Sequence, residues 1–230
     1  MHVALTALIG AYHESAEAGV LRATLPLAGR TVLERQVRLA AAAGAAPVVV
    51  LVERLPAELS AAIERLRRQR LPIHVARTAE EAASVIDHHD TILLIADGAV
   101  ADRSELERVA AAGPPSVLTV PDSGFGELYE RIDGATRWGA VAAIDGALLA
   151  ETTAMLRDWD MQSTLLRRAL QSGARHLPAQ APVAIIDAPA HLGDLERQIV
   201  AAASGASGGW ASRLLAPLER AATHLLMGSA

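Results

Sequence analysis

Seven short apolar runs punctuate the chain: VALTALI (3–9), PVVVLV (47–52), LPIHVA (71–76), TILLIA (91–96), PSVLTV (115–120), WGAVAAI (138–144) and APVAII (181–186). Their β-branched residues follow one another almost without interruption, and turn residues bound them, as expected of strands buried on both faces. Between them lie TVLERQVRLAAAAG (31–44), PAELSAAIERLRRQR (56–70), TAEEAASVIDHH (78–89) and DRSELERVAAAG (102–113). In these the apolar residues fall at i, i+3, i+4 and the charges opposite, the period of amphipathic helices. Strands alternating with helices predict an α/β fold, a three-layer α/β/α sandwich around a mostly parallel sheet.

The punctuation supports that reading. Thr31 with Glu34 three residues on makes a capping box, Gly44 and Gly113 stop helices, and Asp102 or Ser104 caps the one that follows. The one break in composition is SGASGG at 204–209, a flexible linker. It divides a main domain, 1–203, from a C-terminal amphipathic helix, 210–230, with Trp210, Leu214, Leu218 and Leu225 on one face. That helix either covers a core, its own or that of a second copy in a homo-oligomer, or leads into something further. The opening MHVALTALIGAY lacks a basic leader and turns polar at His13-Glu14, so it reads as a first strand, not a signal peptide. No apolar stretch approaches the ~18 residues that cross a bilayer. A cytoplasmic protein is expected, with the inner face of a membrane as the variant.

Composition narrows the chemistry. With 51% hydrophobic residues the chain has ample core material. All 21 basic residues are Arg, so Lys-dependent chemistry is excluded, and the lack of Cys removes disulfides, thiolate metal sites and thiol nucleophiles. A net charge of −5 without a dense basic stripe leaves no footprint for a nucleic-acid backbone.

Open parallel sheets bind ligands beyond the carboxyl ends of their strands, so the first residues after each run are the ones to inspect. Gly10 to Glu14 follow the first run, Asp97-Gly98 the fourth and Asp187 the last, while Arg131, Asp133, Arg137 and Trp138 lie between the sheet halves. Asp97 and Asp187 together could hold Mg²⁺ beside a triphosphate, since a hard cation needs few protein oxygens; equally, each could cap the next helix. Arg22 and Arg30 could grip phosphate through bidentate bonds, or be solvated surface residues. His88-His89-Asp90 reads as a polar loop entering a strand, and Trp138 and Trp159 as core anchors in a chain with six aromatic residues. There is no P-loop, Gly-x-Ser-x-Gly elbow or Gly-x-Gly-x-x-Gly.

LRATLPLAGRTVLERQVRLAAAAGAAPVVVLV (21–52) resembles the second half of the N-terminal signature of sugar-phosphate and related nucleotidyltransferases. These belong to the nucleotide-diphospho-sugar transferase superfamily, of GT-A type. LLIADGAVADRSELERV is similar to the strand that delivers that family's metal-binding Asp, RWGAVAAIDGALLAE to its acceptor-side segment, and IIDAPAHLGDLERQI to its closing Asp-x-Pro-x-Asp-Leu stretch. The resemblance spans roughly residues 3 to 200. It implies that Arg22 replaces the phosphate-binding Lys, that Arg22 and Asp97 are catalytic, that Asp97 and Asp187 bind Mg²⁺, and that Gly10, Arg30, Arg137 and Trp138 contact substrate. It implies partners as well: a nucleoside triphosphate and a small phosphorylated alcohol or sugar.

The family's first loop, Ala-Ala-Gly-x-Gly-x-Arg, is LIGAYHESAEAGVL here: Gly10 is kept, Tyr12 takes the next Gly position, Ser15 stands near the Arg, and Glu14 and Glu17 bring negative charge. The tail, GGWASRLLAPLERAATHLL, resembles the junction at which a cytidylyltransferase-like domain leads into a membrane-embedded CDP-alcohol phosphotransferase, which would place the chain in phospholipid biosynthesis. Two functions follow from the resemblance. One is an Mg²⁺-dependent transferase of NMP from an NTP to a phosphorylated acceptor; the other is a catalytically inactive binding or regulatory domain of such a phosphotransferase.

Overall fold

In chain order the computed structural model contains β1 (Leu5–Gly10), a 3-10 turn (Arg22–Thr24), β2 (Pro26–Leu27), β3 (Arg30–Thr31), α1 (Val32–Ala42), β4 (Val48–Leu51), α2 (Ala57–Arg68), β5 (Ile73–Ala76) and α3 (Ala79–Val85). There follow β6 (Thr91–Ile95), β7 (Ala99–Ala101), α4 (Arg103–Ala112), β8 (Ser116–Pro121), β9 (Thr136–Asp145), α5 (Gly146–Met155), α6 (Met161–Gln171), β10 (Arg175–Pro178) and β11 (Val183–Ile185). The structure describes residues 3–122, 128–155 and 160–188, all inside one unit that runs from Met1 to Pro189. Trp159, the linker at 204–209 and the helix expected at 210–230 lie outside the described residues. Among the described residues no helix is long and apolar enough to cross a membrane.

The seven-stranded sheet has the order β10-β8-β9-β6-β1-β4-β5, and β9 alone runs antiparallel to its neighbours β6 and β8. The sheet is therefore mixed and mostly parallel, as the sequence predicts. All four residues of β4, Val48 to Leu51, are buried, the state that its unbroken apolar run requires. Helix α1 packs on α2 and α4, while α5 packs on α3 and α6, giving a layer on each side. In α2 the buried residues are Leu59, Ala62, Ile63 and Leu66, one face at helical spacing.

The predicted caps form: the Thr31 side chain accepts from the Glu34 N–H while Glu34 accepts from the Thr31 N–H, and Asp102 caps α4. Two strand assignments differ from expectation. The run at 181–186 yields β11, which leaves the large sheet and pairs antiparallel with β7, the short strand just after Asp97-Gly98. The seventh place in the sheet goes to β10, Arg-His-Leu-Pro, which lies at the edge beside β8. Its residues are half-buried to exposed, so it lacks the apolar run that marks a strand buried on both faces.

Topology places the site. After β1 the chain moves outward through β4 and β5 and then returns to β6 on the opposite side of β1, so the order reverses between β1 and β6. Ligands of open α/β sheets bind at such a point, outside the carboxyl ends. Because β9 runs the other way, its first residues, Arg137 and Trp138, come to that same edge, and a bulge facing the Val117–Thr119 stretch of β8 interrupts its pairing.

Candidate active site

At the switch point a cavity of about 410 Å³ opens over Asp97, with Arg22, His13, Trp138, Asp160 and Arg167 in its walls. Asp97 lies just beyond the end of β6 and is 3% exposed. Its Oδ2 accepts the backbone N–H groups of Tyr12 and His13, both at 2.7 Å, so the carboxylate ties the end of β6 to the end of β1. Its Oδ1 is buried without a hydrogen-bond partner. Burial pushes the Asp97 carboxyl up to about 6, against the two N–H groups and the charges of His13 and Arg22.

Gln162, at the start of α6, holds this aspartate from below. Its Oε1 accepts the Asp97 N–H at 3.2 Å and its Nε2 donates to the Ile95 carbonyl at 2.8 Å. The same amide covers Gly10, where an added Cβ would come within 2.9 Å of it. Two residues earlier Asp160 caps α6 and accepts the Tyr12 hydroxyl at 2.8 Å. Burial, then the neighbouring Asp160 carboxylate, raises the Tyr12 phenol well above its ordinary value. The His13 ring lies between two carboxylates, Nδ1 3.7 Å from Asp97 and Nε2 3.8 Å from Asp160.

Arg22 and Asp187 also meet here. The Arg22 Nε donates to Asp187 Oδ1 at 2.7 Å in a half-buried pair. Gly98, with φ +74°, permits it: a Cβ there would sit 2.8 Å from the Ile186 carbonyl and 3.0 Å from the Arg22 Cδ. Asp187 reaches this position because Ile186 donates to Gly98 and because the buried Tyr129 hydroxyl clasps β11, donating to the Val183 carbonyl and accepting the Ile185 N–H.

The residues proposed from sequence thus separate. Arg22, Asp97, Asp187 and Trp138 gather at the switch point; Trp138 is a buried wall whose indole donates to the Val141 carbonyl. Gly10 lies under Gln162. Arg137 turns away to Asp122 and the Tyr129 carbonyl. Arg30 lines a different concavity with Glu34, Arg65 and Gln69. His13 belongs to the 10–14 stretch that follows the first run, whereas Asp160 and Gln162 join the site through contacts between residues far apart in sequence. Of the His88-His89-Asp90 group, Asp90 accepts from the Ala4 N–H and the Thr6 hydroxyl; Asp87, His88 and His89 are exposed.

The loop from Tyr12 to Arg22 is closed on itself. Besides the two N–H groups taken by Asp97, those of Ser15, Ala16, Glu17, Val20 and Arg22 donate to Val20, Asp187, Ser15 Oγ, Glu17 and His13 respectively. Arg54 answers the charge of Glu14 at 2.7 Å.

No protein-family model and no curated protein matches this sequence. Solved structures do match its shape. An inositol-1-phosphate CTP transferase from T. maritima superposes with TM-score 0.63 at 14% identity, over 85% of this chain and 95% of that one. A CMP:2-keto-3-deoxy-manno-octonic acid synthetase complexed with CTP gives 0.59 at 13% identity, over 86% and 98%. A nucleotidyl transferase from Methanothermobacter gives 0.53 at 19%, over 78% and 88%. The chain has the α/β fold of the nucleotidyltransferases.

Proposed function

We propose that this chain is a nucleotidyltransferase that moves NMP from an NTP to a small phosphorylated alcohol or sugar. The observation that carries the reading is Asp97: a buried carboxylate at the switch point of this fold, one oxygen without a partner, in a cavity shared with Arg22, which in turn holds Asp187. That donor set fits Mg²⁺, a hard cation that favours carboxylate oxygens and dehydrates only in part. Asp97 and, once freed from Arg22, Asp187 would hold the ion, which would supply charge neutralisation to the phosphates. An acceptor phosphate oxygen attacks the α-phosphorus, a new P–O bond forms, and the bond to the departing pyrophosphate breaks. Arg22, released from Asp187, neutralises charge that grows on the phosphates, and Trp138 and Arg167 line the same cavity.

The closed loop favours a second reading, a non-catalytic domain that serves a CDP-alcohol phosphotransferase at the inner face of a membrane. Most N–H groups that would cradle a triphosphate are already bonded within the loop or to Asp97. Thermal unfolding with each NTP and Mg²⁺ separates the two. A ligand at 100 times its Kd adds about 2.7 kcal/mol, so the transferase predicts a rise of several degrees in Tm with at least one nucleotide. The non-catalytic reading predicts none.

A further inference from the structure

A second concavity of about 550 Å³ lies between the β2–β3 hairpin and helices α1 and α2, and it shares no lining residue with the first. A two-residue turn at Ala28 (φ 49°) and Gly29 (φ 75°) shapes the hairpin and leaves Arg30 exposed on its rim. Across from it, Arg65 of α2 forks onto Glu34 of α1, Nε to Oε1 at 2.9 Å and Nη2 to Oε2 at 3.2 Å. Glu34 is 4% exposed, and its Oε2 also accepts the Thr31 N–H, so this one carboxylate in the lining is fully engaged. Arg38, one turn on from Glu34, donates from Nη2 to Gln69 at the cavity edge, while its Nε is buried without a partner. Burial, and then the like charge of Arg30, hold the Arg38 guanidinium below its ordinary range.

Arg30 and Arg65 thus line the concavity with a single carboxylate, already taken by Arg65, while Arg38 reaches Gln69 at its edge and feels the like charge of Arg30, in a chain whose net charge is −5. Like charges held together in a concave site repel unless an anion joins them, and guanidiniums suit phosphoryl oxygens, which accept paired N–H bonds. We propose that the concavity walled by Arg30, Arg65 and Gln69, with Arg38 at its edge, is a binding site for a small multivalent phosphate anion, separate from the cavity over Asp97. It stands whether or not the first cavity is catalytic.

Calorimetric titration of inorganic pyrophosphate tests this, run on the full chain in an Arg22→Ala background so that the first cavity contributes little. Saturable binding is expected, with affinity falling at least tenfold on adding Arg30→Ala and Arg38→Ala, less on adding Arg30→Lys, and falling as NaCl is raised. Arg30→Gln alone, at an exposed position, serves as a second variant with an unchanged melting curve. No binding by the Arg22→Ala protein, or equal binding after Arg30 and Arg38 are both removed, overturns the assignment. Binding present only while Arg22 is intact also overturns it, and places the anion over Asp97.

Discussion

Asp97 concentrates the tension between folding and chemistry. An ionised carboxylate at 3% exposure with one bare oxygen costs stability, and the two N–H bonds to its other oxygen offset only part of that cost. A carboxyl raised to about 6 in the folded protein, against about 3.9 unfolded, favours the fold most when protonated. Its contribution is full below about pH 4 and is lost as pH rises through 6. Asp97→Asn keeps an oxygen for the Tyr12 and His13 N–H groups and removes the charge. It is expected to be more stable than the parent at pH 7.5, by on the order of 2 kcal/mol, with the difference shrinking towards zero near pH 4. Urea titrations at the two pH values check this, and an Asn variant that is less stable at pH 7.5 contradicts it. Tyr129 is the second test at this scale. Tyr129→Phe leaves the Ile185 N–H without its partner and strands the Val183 carbonyl, so it should destabilise by about 1–3 kcal/mol and loosen the strand that delivers Asp187. Hydrogen exchange at Ile185 reports the loosening.

Elements were legible where local chemistry decides them. The Thr31–Glu34 box starts α1, and Thr31→Ala should cost about 1 kcal/mol, read from the denaturation midpoint. Glu34 does more than cap: its bidentate bond to Arg65 ties α1 to α2, a pairing between residues thirty-one positions apart that no local pattern announces. The same limit explains β10 and β11. An edge strand needs only one neighbour, so Arg175–Pro178 pairs without an apolar run, while the apolar run at 181–186 serves a two-stranded ribbon that fixes Asp187. Asp97, Asp187 and Arg22 were readable because they follow strands or a family-like stretch. Asp160 and Gln162 were not, because α6 crosses to the ends of β1 and β6 only in the folded chain. Arg30 lies apart: eight residues from Arg22 in sequence, it lines a different concavity, at the β2–β3 hairpin.

At the scale of the whole molecule the sheet reversal beside β1 gathers a buried carboxylate with one bare oxygen, a cation and a second carboxylate at one end of the fold, while the Tyr12 to Arg22 loop stays folded on itself. On the proposed function a triphosphate would compete with Asp187 for Arg22 and with internal partners for the loop's N–H groups, which would couple binding to loop opening. The most direct measurement is pyrophosphate release by the whole chain, with Mg²⁺, each of the four NTPs and a panel of phosphorylated alcohols and sugars. The account predicts release with at least one pairing, dependent on Mg²⁺, and a fall of about 10²–10³-fold or more in Asp97→Asn while that variant stays folded. Pyrophosphate release that survives Asp97→Asn undiminished, or none with any nucleotide, contradicts it.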